Sequence, residues 1–142
     1  MEFELKEKNI LVTGGAGFIG SHLVDALIKK FPAKLVVIDN LFLGREENLE
    51  NARKNFPELR FIKASASDEN ILRKIIEENQ IKIVFNLAVI PLPASLEKPK
   101  FSSDENIAIT LNILELLREK KIETLVHFSS SEVYGSLAEG IL

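Results

Sequence analysis

Three glycines at regular spacing are the first feature of this chain that could carry chemistry. In the stretch "LVTGGAGFIGSHL", Gly14, Gly17 and Gly20 follow a short apolar run and precede a segment with helical periodicity. Glycines placed in this way permit a sharp turn, a close approach of a ligand to the backbone, and tight packing of a helix on a strand. The free N–H groups at the start of the helix would then attract an anion such as a pyrophosphate.

A carboxylate stands where such a ligand would need one. Asp39 ends the second apolar run, 19 residues after Gly20. An acidic side chain at that place can accept hydrogen bonds from the hydroxyls of an adenosine ribose. A strand-end turn or a helix cap is the alternative use of an aspartate here. Because both features lie in a β-α-β setting, the sequence predicts dinucleotide binding.

Five apolar runs alternate with helical patterns along the chain. The pattern predicts strands over residues 9–13, 34–39, 59–63, 82–88 and 124–131. It predicts helices from the glycines up to Pro32, from a cap at Ser67 or Asp68, and from Ser102 or Ser103 to about Lys120, with a rigid connector over residues 89–99. Strands that are apolar on both faces, each followed by a helix, require a parallel sheet covered on both sides. The predicted fold class is therefore α/β, a doubly wound parallel sheet with strand order 3-2-1-4-5.

Composition narrows the partners and the cell compartment. The 142 residues suffice for one domain, with 46% hydrophobic and 27% charged residues. A net charge of −3 without a Lys/Arg cluster argues against nucleic-acid and membrane partners. There is no cysteine and no run of the ~18 apolar residues that span a bilayer. No histidines or carboxylates show metal-ligand spacing. We expect a soluble, cytoplasmic protein without a metal.

Several further motifs follow the glycines in a fixed order. They are "VVIDNL" after the second strand, "NLA" at 86–88, "ENIAITLNILELL" on the long helix and "HFSSSEVYG" at 127–135. Together with the Gly-x-x-Gly-x-x-Gly spacing, they resemble the extended short-chain dehydrogenases/reductases. More narrowly, the chain resembles the NAD-dependent nucleotide-sugar epimerases, dehydratases and decarboxylases. The resemblance extends to Gly135 and implies a Rossmann fold, NAD as the cofactor and a nucleotide sugar as the substrate.

The resemblance implies a set of cofactor contacts. The backbone of Phe18 and Ile19 would meet the pyrophosphate, and Leu87 and Ala88 would line the ribose on the nicotinamide side. The positions implied to serve the cofactor are Gly14, Gly17, Phe18, Ile19, Gly20, Asp39, Asn40, Ser65, Ala66, Leu87, Ala88, Asn106 and Ser129. Ser65 is a departure, since such proteins usually have an acidic residue near the adenine at this place. A serine can still form a hydrogen bond with the adenine amino group.

The choice between NAD and NADP depends on the surroundings of Asp39. No basic residue stands directly beside this aspartate, which favours NAD. Arg45 leaves NADP open, because an arginine can accommodate a 2′-phosphate. A solvated loop charge is the other interpretation of Arg45.

The resemblance places the chemistry in "SSSEVYG", at the carboxyl end of the fifth predicted strand. Ser130 matches the catalytic Ser/Thr, with Ser131 as the weaker alternative and Ser129 against the cofactor. Glu132 resembles the acid found here in 4,6-dehydratases and decarboxylases. A simple strand-end cap for the serines, and an exposed loop carboxylate for Glu132, are the structural alternatives.

The catalytic base of the family is missing from these residues. Tyr134 is the only tyrosine, but the resemblance places the base further along, in a Tyr-x-x-x-Lys motif that does not occur here. We therefore expect residues 1–142 to be the dinucleotide-binding domain, truncated before the substrate-binding domain. This domain alone should bind NAD without turnover. The alternatives are an NADP-dependent extended reductase of another carbonyl substrate and a non-catalytic dinucleotide-binding module.

The long helix carries two apolar stripes. At 100° per residue, one stripe contains Ile107, Leu111, Leu114 and Leu117, and the other contains Ile109, Ile113 and Leu116. Together they exceed the arc of about 100° that a helix lying on a sheet needs. The resemblance implies a homodimer formed through this helix, at about residues 103–120. Cover by a missing C-terminal region is the alternative.

Overall fold

The structure, a computed structural model, describes residues 4–130. Strands and helices alternate throughout this part of the chain. In chain order the elements are β1 (Asn9–Thr13), α1 (Phe18–Ile28), β2 (Lys34–Asp39), a 3-10 turn (Glu46–Leu49), α2 (Glu50–Asn55), β3 (Arg60–Lys63), α3 (Glu69–Asn79), β4 (Ile83–Asn86), α4 (Leu92–Glu97), α5 (Pro99–Arg118) and β5 (Thr124–His127). Each of the first four strands is followed by at least one helix, which confirms the alternation predicted from the sequence.

The five strands form one parallel sheet in the order β3-β2-β1-β4-β5. The strand order and the doubly wound arrangement predicted from the sequence are confirmed. β1 lies at the centre, and its residues Ile10, Leu11 and Val12 are fully buried. The chain leaves β1 toward β2 on one side and reaches β4 on the other. A crevice therefore opens at the carboxyl end of β1, the place where sheets of this type bind ligands.

Two apolar layers cover the sheet. On one face, side chains of β1 and β2 such as Leu11 and Ile38 pack against Leu72 of α3 and Ile113 of α5. On the other face, the alternate side chains of the same strands pack against α1, the 3-10 turn and α2. Since successive residues of a strand point to opposite faces, a continuous apolar run is what both layers require.

Only one of the two predicted stripes of α5 faces the sheet. The buried stripe consists of Ile109, Ile113 and Leu116. On the other stripe Ile107 is 58%, Leu111 57% and Leu114 44% exposed. Leu117, predicted to lie with this exposed stripe, instead packs against the core at its margin. None of the described helices, α5 included, has the length and apolar character to cross a bilayer.

Element boundaries differ from the predictions where proline decides. α5 begins at Pro99, not at Ser102 or Ser103, because a proline in the first turn lacks only an N–H that has no helical partner. The connector predicted over residues 89–99 contains α4, which also has a proline in its first turn. The start of α3 agrees with the prediction: of the two residues proposed as its cap, Asp68 is the one, and its Oδ1 accepts a hydrogen bond of 3.0 Å from the Ile71 nitrogen. The 3-10 turn and α2 were not predicted.

Three strands are shorter than the sequence suggests. β3 begins at Arg60, β4 ends at Asn86 and β5 ends at His127. Leu87 and Ala88 beyond β4, and Phe128 beyond β5, continue into loops at the carboxyl edge of the sheet, whereas Leu59 precedes β3 at the opposite edge. Hydrophobicity alone cannot locate a strand end where the loop itself is packed against the molecule.

Candidate functional site

The glycine turn joins β1 to α1 with no room for a side chain at two positions. Gly14 has a φ of 67°, in the left-handed region, and a Cβ there would lie 2.8 Å from the backbone nitrogen of Ala88. A Cβ on Gly20 would lie 2.1 Å from the carbonyl oxygen of Gly14. Gly17 differs, since its φ is −75° and an added Cβ would meet only that same oxygen, at 3.2 Å. Gly14 and Gly20 therefore allow the turn to fold, whereas Gly17 keeps the space beside it open.

The N-terminal end of α1 is suited to an anion. Gly17 is the N-cap residue, no side chain of the described residues caps the helix, and its first turn holds no acidic residue. Phe18 and Ile19 direct their side chains outward and are 81% and 62% exposed. The unpaired N–H groups and the positive end of the helix dipole favour a phosphate group at this place.

Asp39 brings a fixed carboxylate to the same crevice. It is 8% exposed and lies at the end of β2. Its Oδ2 accepts a hydrogen bond of 3.0 Å from the Ala16 nitrogen, and its Oδ1 accepts one of 2.8 Å from the Leu41 nitrogen. Each carboxylate oxygen has a second lone pair. The carboxylate is therefore held in place while it keeps the capacity to accept hydrogen bonds from two hydroxyl groups.

The loop after β2 is fastened to the glycine turn, and sequence reasoning missed the residues that do so. The carbonyl oxygen of Ala16 accepts hydrogen bonds from the Arg45 nitrogen, at 3.0 Å, and from Asn48 Nδ2, at 2.8 Å. Gly44 packs on the carboxylate of Asp39, because a Cβ there would lie 2.9 Å from Oδ1 and 3.0 Å from Oδ2. The available signal was the glycine in "DNLFLG", five residues after the acidic residue. The side chain of Arg45 is exposed.

A chain of hydrogen bonds crosses the carboxyl ends of β1, β4 and β5. The Ala88 nitrogen donates to Thr13 Oγ1 at 3.2 Å, and this hydroxyl donates to Asn86 Oδ1 at 2.5 Å. Asn86 Nδ2 lies 3.0 Å from Nδ1 of His127. The amide nitrogen can only donate, so Nδ1 of His127 accepts this hydrogen bond. These bonds fix the backbone at Leu87 and Ala88, both half-buried.

Asn106 of α5 fixes the turn that follows β4. Its Oδ1 accepts a hydrogen bond of 2.7 Å from the Ile90 nitrogen, and its Nδ2 donates one of 3.0 Å to the Ile90 carbonyl. One side chain therefore satisfies both backbone groups of a loop residue.

The end of β3 holds the remaining residues expected on the adenine side. Ser65 is half-buried and Ala66 is buried. Ser65 Oγ lies 2.8 Å from Ser67 Oγ, and Ser67 Oγ donates to Oε2 of Glu105 at 2.8 Å. The sequence did not indicate Glu105, because it reaches this place from α5, some 40 residues further along the chain.

The positions expected to carry the chemistry are only partly described. Ser129 and Ser130 are exposed and follow β5 at the carboxyl edge of the sheet. Glu132, Ser131 and Tyr134 lie outside the described residues. Asn40, expected at the ribose, is exposed and accepts a hydrogen bond of 2.9 Å from the Phe42 nitrogen.

Two phenylalanines connect the walls of the crevice. Phe42, in the loop after β2, lies with its ring centre 6.3 Å from that of Phe101 on α5. Together with Ala94, Glu97 and Lys98, they line a cavity of about 270 Å³. Since β2 and β4 flank β1, a contact between the segments that follow them passes over the end of the central strand.

The residues present fit a dinucleotide. The carboxylate of Asp39 after β2, the open start of α1 after β1 and the fixed backbone of Leu87 and Ala88 after β4 lie side by side along one edge of the sheet. Ser102 is 1% exposed, and among the described residues its hydroxyl has no hydrogen-bond partner. It lies on the buried face of α5, one turn before Asn106.

Comparison with known proteins identifies a family whose members use a dinucleotide. The model of the NAD dependent epimerase/dehydratase family matches residues 10–141. The chain is 38% identical over 127 residues to a protein of Methanocaldococcus jannaschii described as a putative UDP-glucose 4-epimerase, covering 89% of this chain and 39% of that protein. It is 36% identical over 132 residues to the dTDP-D-glucose 4,6-dehydratase of Dictyostelium discoideum, covering 91% and 30%.

A solved structure shows the same fold. The UDP-glucose-4-epimerase of Stenotrophomonas maltophila, crystallised with NAD and formylated UDP-arabinopyranose, superposes with a TM-score of 0.81 and 28% identity, covering 93% of this chain and 40% of that one. The chain thus spans less than half the length of each of these three proteins.

Proposed function

This chain belongs to the NAD-dependent epimerase/dehydratase family, and from that premise we propose that it is the NAD-binding part of an enzyme that modifies a nucleotide sugar. The family model and the relatives support an enzyme that acts on nucleotide sugars, whether as an epimerase, a dehydratase or a decarboxylase. When bound, NAD supplies a hydride acceptor that can take a hydride from a sugar carbon and return it.

Asp39 is the observation that carries this proposal. Its buried carboxylate is held by the nitrogen of Ala16, within the glycine turn, so that the ribose acceptor and the phosphate site form one rigid unit. A solvated loop aspartate would not need such burial. The remaining lone pairs suit the 2′- and 3′-hydroxyls of an adenosine ribose, whereas a 2′-phosphate would meet a negative charge.

The other residues of the edge would hold the rest of the cofactor. The N–H groups of Phe18 and Ile19 would bind the pyrophosphate at the start of α1. Leu87 and Ala88, fixed through Thr13, would line the ribose on the nicotinamide side. The position of Ser129 after β5 supports a contact at the nicotinamide end.

We propose Ser130 as the hydroxyl that orients a sugar oxygen, and Glu132 as an acid beside it. The general base would have to come from outside this sequence, since no Tyr-x-x-x-Lys occurs in it. These 142 residues alone are accordingly expected to bind NAD without converting a nucleotide sugar.

Titration with reduced cofactors tests the binding proposal. NADH should gain emission on binding, which is the signal to follow because the sequence has no tryptophan, and it should bind more tightly than NADPH. Asp39→Asn should weaken NADH binding by about 10- to 100-fold, since a charged hydrogen bond contributes about 1.5–3 kcal/mol. The amide NH2 would also face the N–H of either Ala16 or Leu41. Asp104→Asn, which neutralises an exposed carboxylate paired with Lys100, serves as the control and should bind like the wild type.

The outcomes separate the alternatives. Tighter binding of NADPH would favour the extended reductase and a phosphate contact by Arg45. Failure of either cofactor to bind to the folded wild-type chain would overturn the proposal.

We propose in addition that the exposed stripe of α5, Ile107, Leu111 and Leu114, pairs with the same helix of a second copy. Support comes from the exposure of these three side chains on a helix whose opposite face is buried.

A further inference from the structure

The path of the cofactor along the sheet edge has a fixed direction. The phosphate site lies at the end of β1, and the ribose acceptor Asp39 lies at the end of β2. The base is attached to the ribose on the side away from the phosphates. Because the strand order is β3-β2-β1, the adenine must lie beyond Asp39, over the end of β3.

The end of β3 is continuous with the ribose site. The Ala64 nitrogen donates a hydrogen bond of 3.1 Å to the carbonyl oxygen of Asp39, and Ser65 follows directly. Ala66 is 4% exposed and belongs to the core, so the loop cannot turn outward at this point. Ser65 and its neighbours are therefore the first polar side chains that a base would meet beyond the ribose.

Glu105 of α5 brings a carboxylate to these serines. Its Oε2 accepts a hydrogen bond of 2.8 Å from Ser67 Oγ and a longer one of 3.4 Å from Ser65 Oγ. Ser65 Oγ also accepts from the Ser67 nitrogen at 3.3 Å. Both hydroxyl protons point toward the carboxylate or between the serines. No hydrogen bond from the described residues reaches the other carboxylate oxygen, Oε1.

The support of the loop is rigid. Asn112, two turns after Glu105 on α5, donates through Nδ2 to the carbonyl oxygens of Ala66, at 3.2 Å, and Ser67, at 2.9 Å. The cap that Asp68 provides to α3 holds the loop from its other end. The carboxylate of Glu105 is thus positioned by two hydroxyl donors on a loop that α5 itself fixes.

We propose that Glu105 is a specificity residue that reads the adenine of the cofactor, accepting a hydrogen bond from its exocyclic amino group with Ser65 beside it. The inference rests on the proposed NAD binding. A carboxylate accepts only, so it favours a base with an N–H donor at C6. It disfavours a base with a carbonyl oxygen there, since two acceptors would face each other.

Nicotinamide hypoxanthine dinucleotide, which has a carbonyl oxygen in place of the amino group, is the probe. The measured quantity is the ratio of its dissociation constant to that of NADH, both taken by fluorescence titration of the reduced forms. The wild type should bind NADH at least tenfold more tightly. Glu105→Ala should bring the ratio close to one, mainly by weakening NADH.

Two further variants sharpen the test. In Glu105→Gln the side-chain oxygen can accept from Ser67 while its NH2 faces the base, so this variant should bind the hypoxanthine analogue at least as well as NADH. A purely structural role would not produce such a reversal. Glu115→Ala removes the same charge from the same helix, about 15 Å away, at a surface pair with Arg118, and should leave the ratio unchanged.

Each result has one interpretation. NADH binding by the wild type, with the same ratio in both Glu105 variants, would overturn the role of Glu105 and leave the proposed function intact. Absence of NADH binding by the folded wild type would overturn both.

Discussion

At the scale of single residues, the glycines of the turn divide into two kinds. Gly14 has a left-handed φ and faces the backbone of Ala88, whereas Gly17 has an ordinary φ and an added Cβ there would meet only the carbonyl oxygen of Gly14, at 3.2 Å. The first kind serves folding and the second serves the ligand. Substitution by alanine can distinguish these two uses.

We expect Gly14→Ala to destabilise the fold by about 2 kcal/mol or more, since the left-handed conformation costs about 1–2 kcal/mol and the Cβ would lie 2.8 Å from a backbone nitrogen. Gly17→Ala should remain within about 1 kcal/mol of the wild type and yet bind NADH at least tenfold more weakly. Urea unfolding and NADH titration measure the two effects. Equal loss of stability in both variants would contradict this division.

Separation along the chain explains which candidate site residues the sequence could indicate. Gly14, Gly17, Gly20 and Asp39 were found because a fixed local spacing relates them. Glu105 could not be found in this way, because its hydrogen bonds to Ser65 and Ser67 join segments about 40 residues apart. Only the packing of α5 against the end of β3 brings them together.

At the scale of elements, a surface ion pair links α3 to the end of α5, two helices that already pack on the same face of the sheet. Arg73 of α3 forms hydrogen bonds through two nitrogens with both oxygens of Glu119, at the end of α5, and one of these nitrogens also reaches Glu69. The hydrogen bond from Arg73 lowers the pKa of Glu119 below its usual value. The hydrogen bonds to Glu119 and Glu69 raise the pKa of Arg73 above its usual value, so this guanidinium stays charged.

The pair predicts a pH dependence with a definite sign. A carboxyl group whose pKa is lower in the folded state stabilises the fold above its unfolded pKa, about 4.3 for Glu. That contribution is lost as the pH falls through the lowered value. Glu119→Gln should therefore melt at a lower temperature than the wild type at pH 7, and the difference should close below about pH 4.

Glu123→Gln is the matched control, because Glu123 forms a single pair with Lys82 at 3.4 Å, with both side chains about half exposed. It should show a smaller difference at pH 7, as is usual for exposed pairs. A difference for Glu119→Gln that persists unchanged at low pH would show that shape, not charge, carries the effect.

The boundaries of the elements show where sequence reasoning stopped. β1 and β2 were predicted to the residue, because continuous apolar runs end there at a glycine turn and at Asp39. The start of α5 was missed, since Ser102 and Ser103 offer hydroxyls typical of a cap while Pro99 fits the first turn equally well. The 3-10 turn and α2 were missed because their residues are mostly polar, and Leu49 and Ala52 are the two that they bury.

At the scale of the whole molecule, the apolar surface is unevenly divided. The sheet is covered on both faces, and the sequence predicted this because the strands contain continuous apolar runs such as Ile10–Val12 and Leu35–Ile38. The exposed stripe of α5 lies outside that arrangement. Ile107, Leu111 and Leu114 are all between 44% and 58% exposed, and they follow one another at helical spacing on one side of the longest described helix.

A second copy covering this stripe would bury three large side chains on each partner. We therefore expect a mass of twice 15.9 kDa in sedimentation at tens of micromolar protein. Leu111→Asp would place a charge at the centre of the contact, where an unpaired buried charge costs several kcal/mol. The dimer dissociation constant should rise at least 100-fold, with NADH affinity unchanged. Leu96→Asp introduces the same charge at a side chain of α4 that is 76% exposed, and it should remain dimeric. A monodisperse wild-type monomer at this concentration would contradict the homodimer and leave the stripe for another part of the protein to cover.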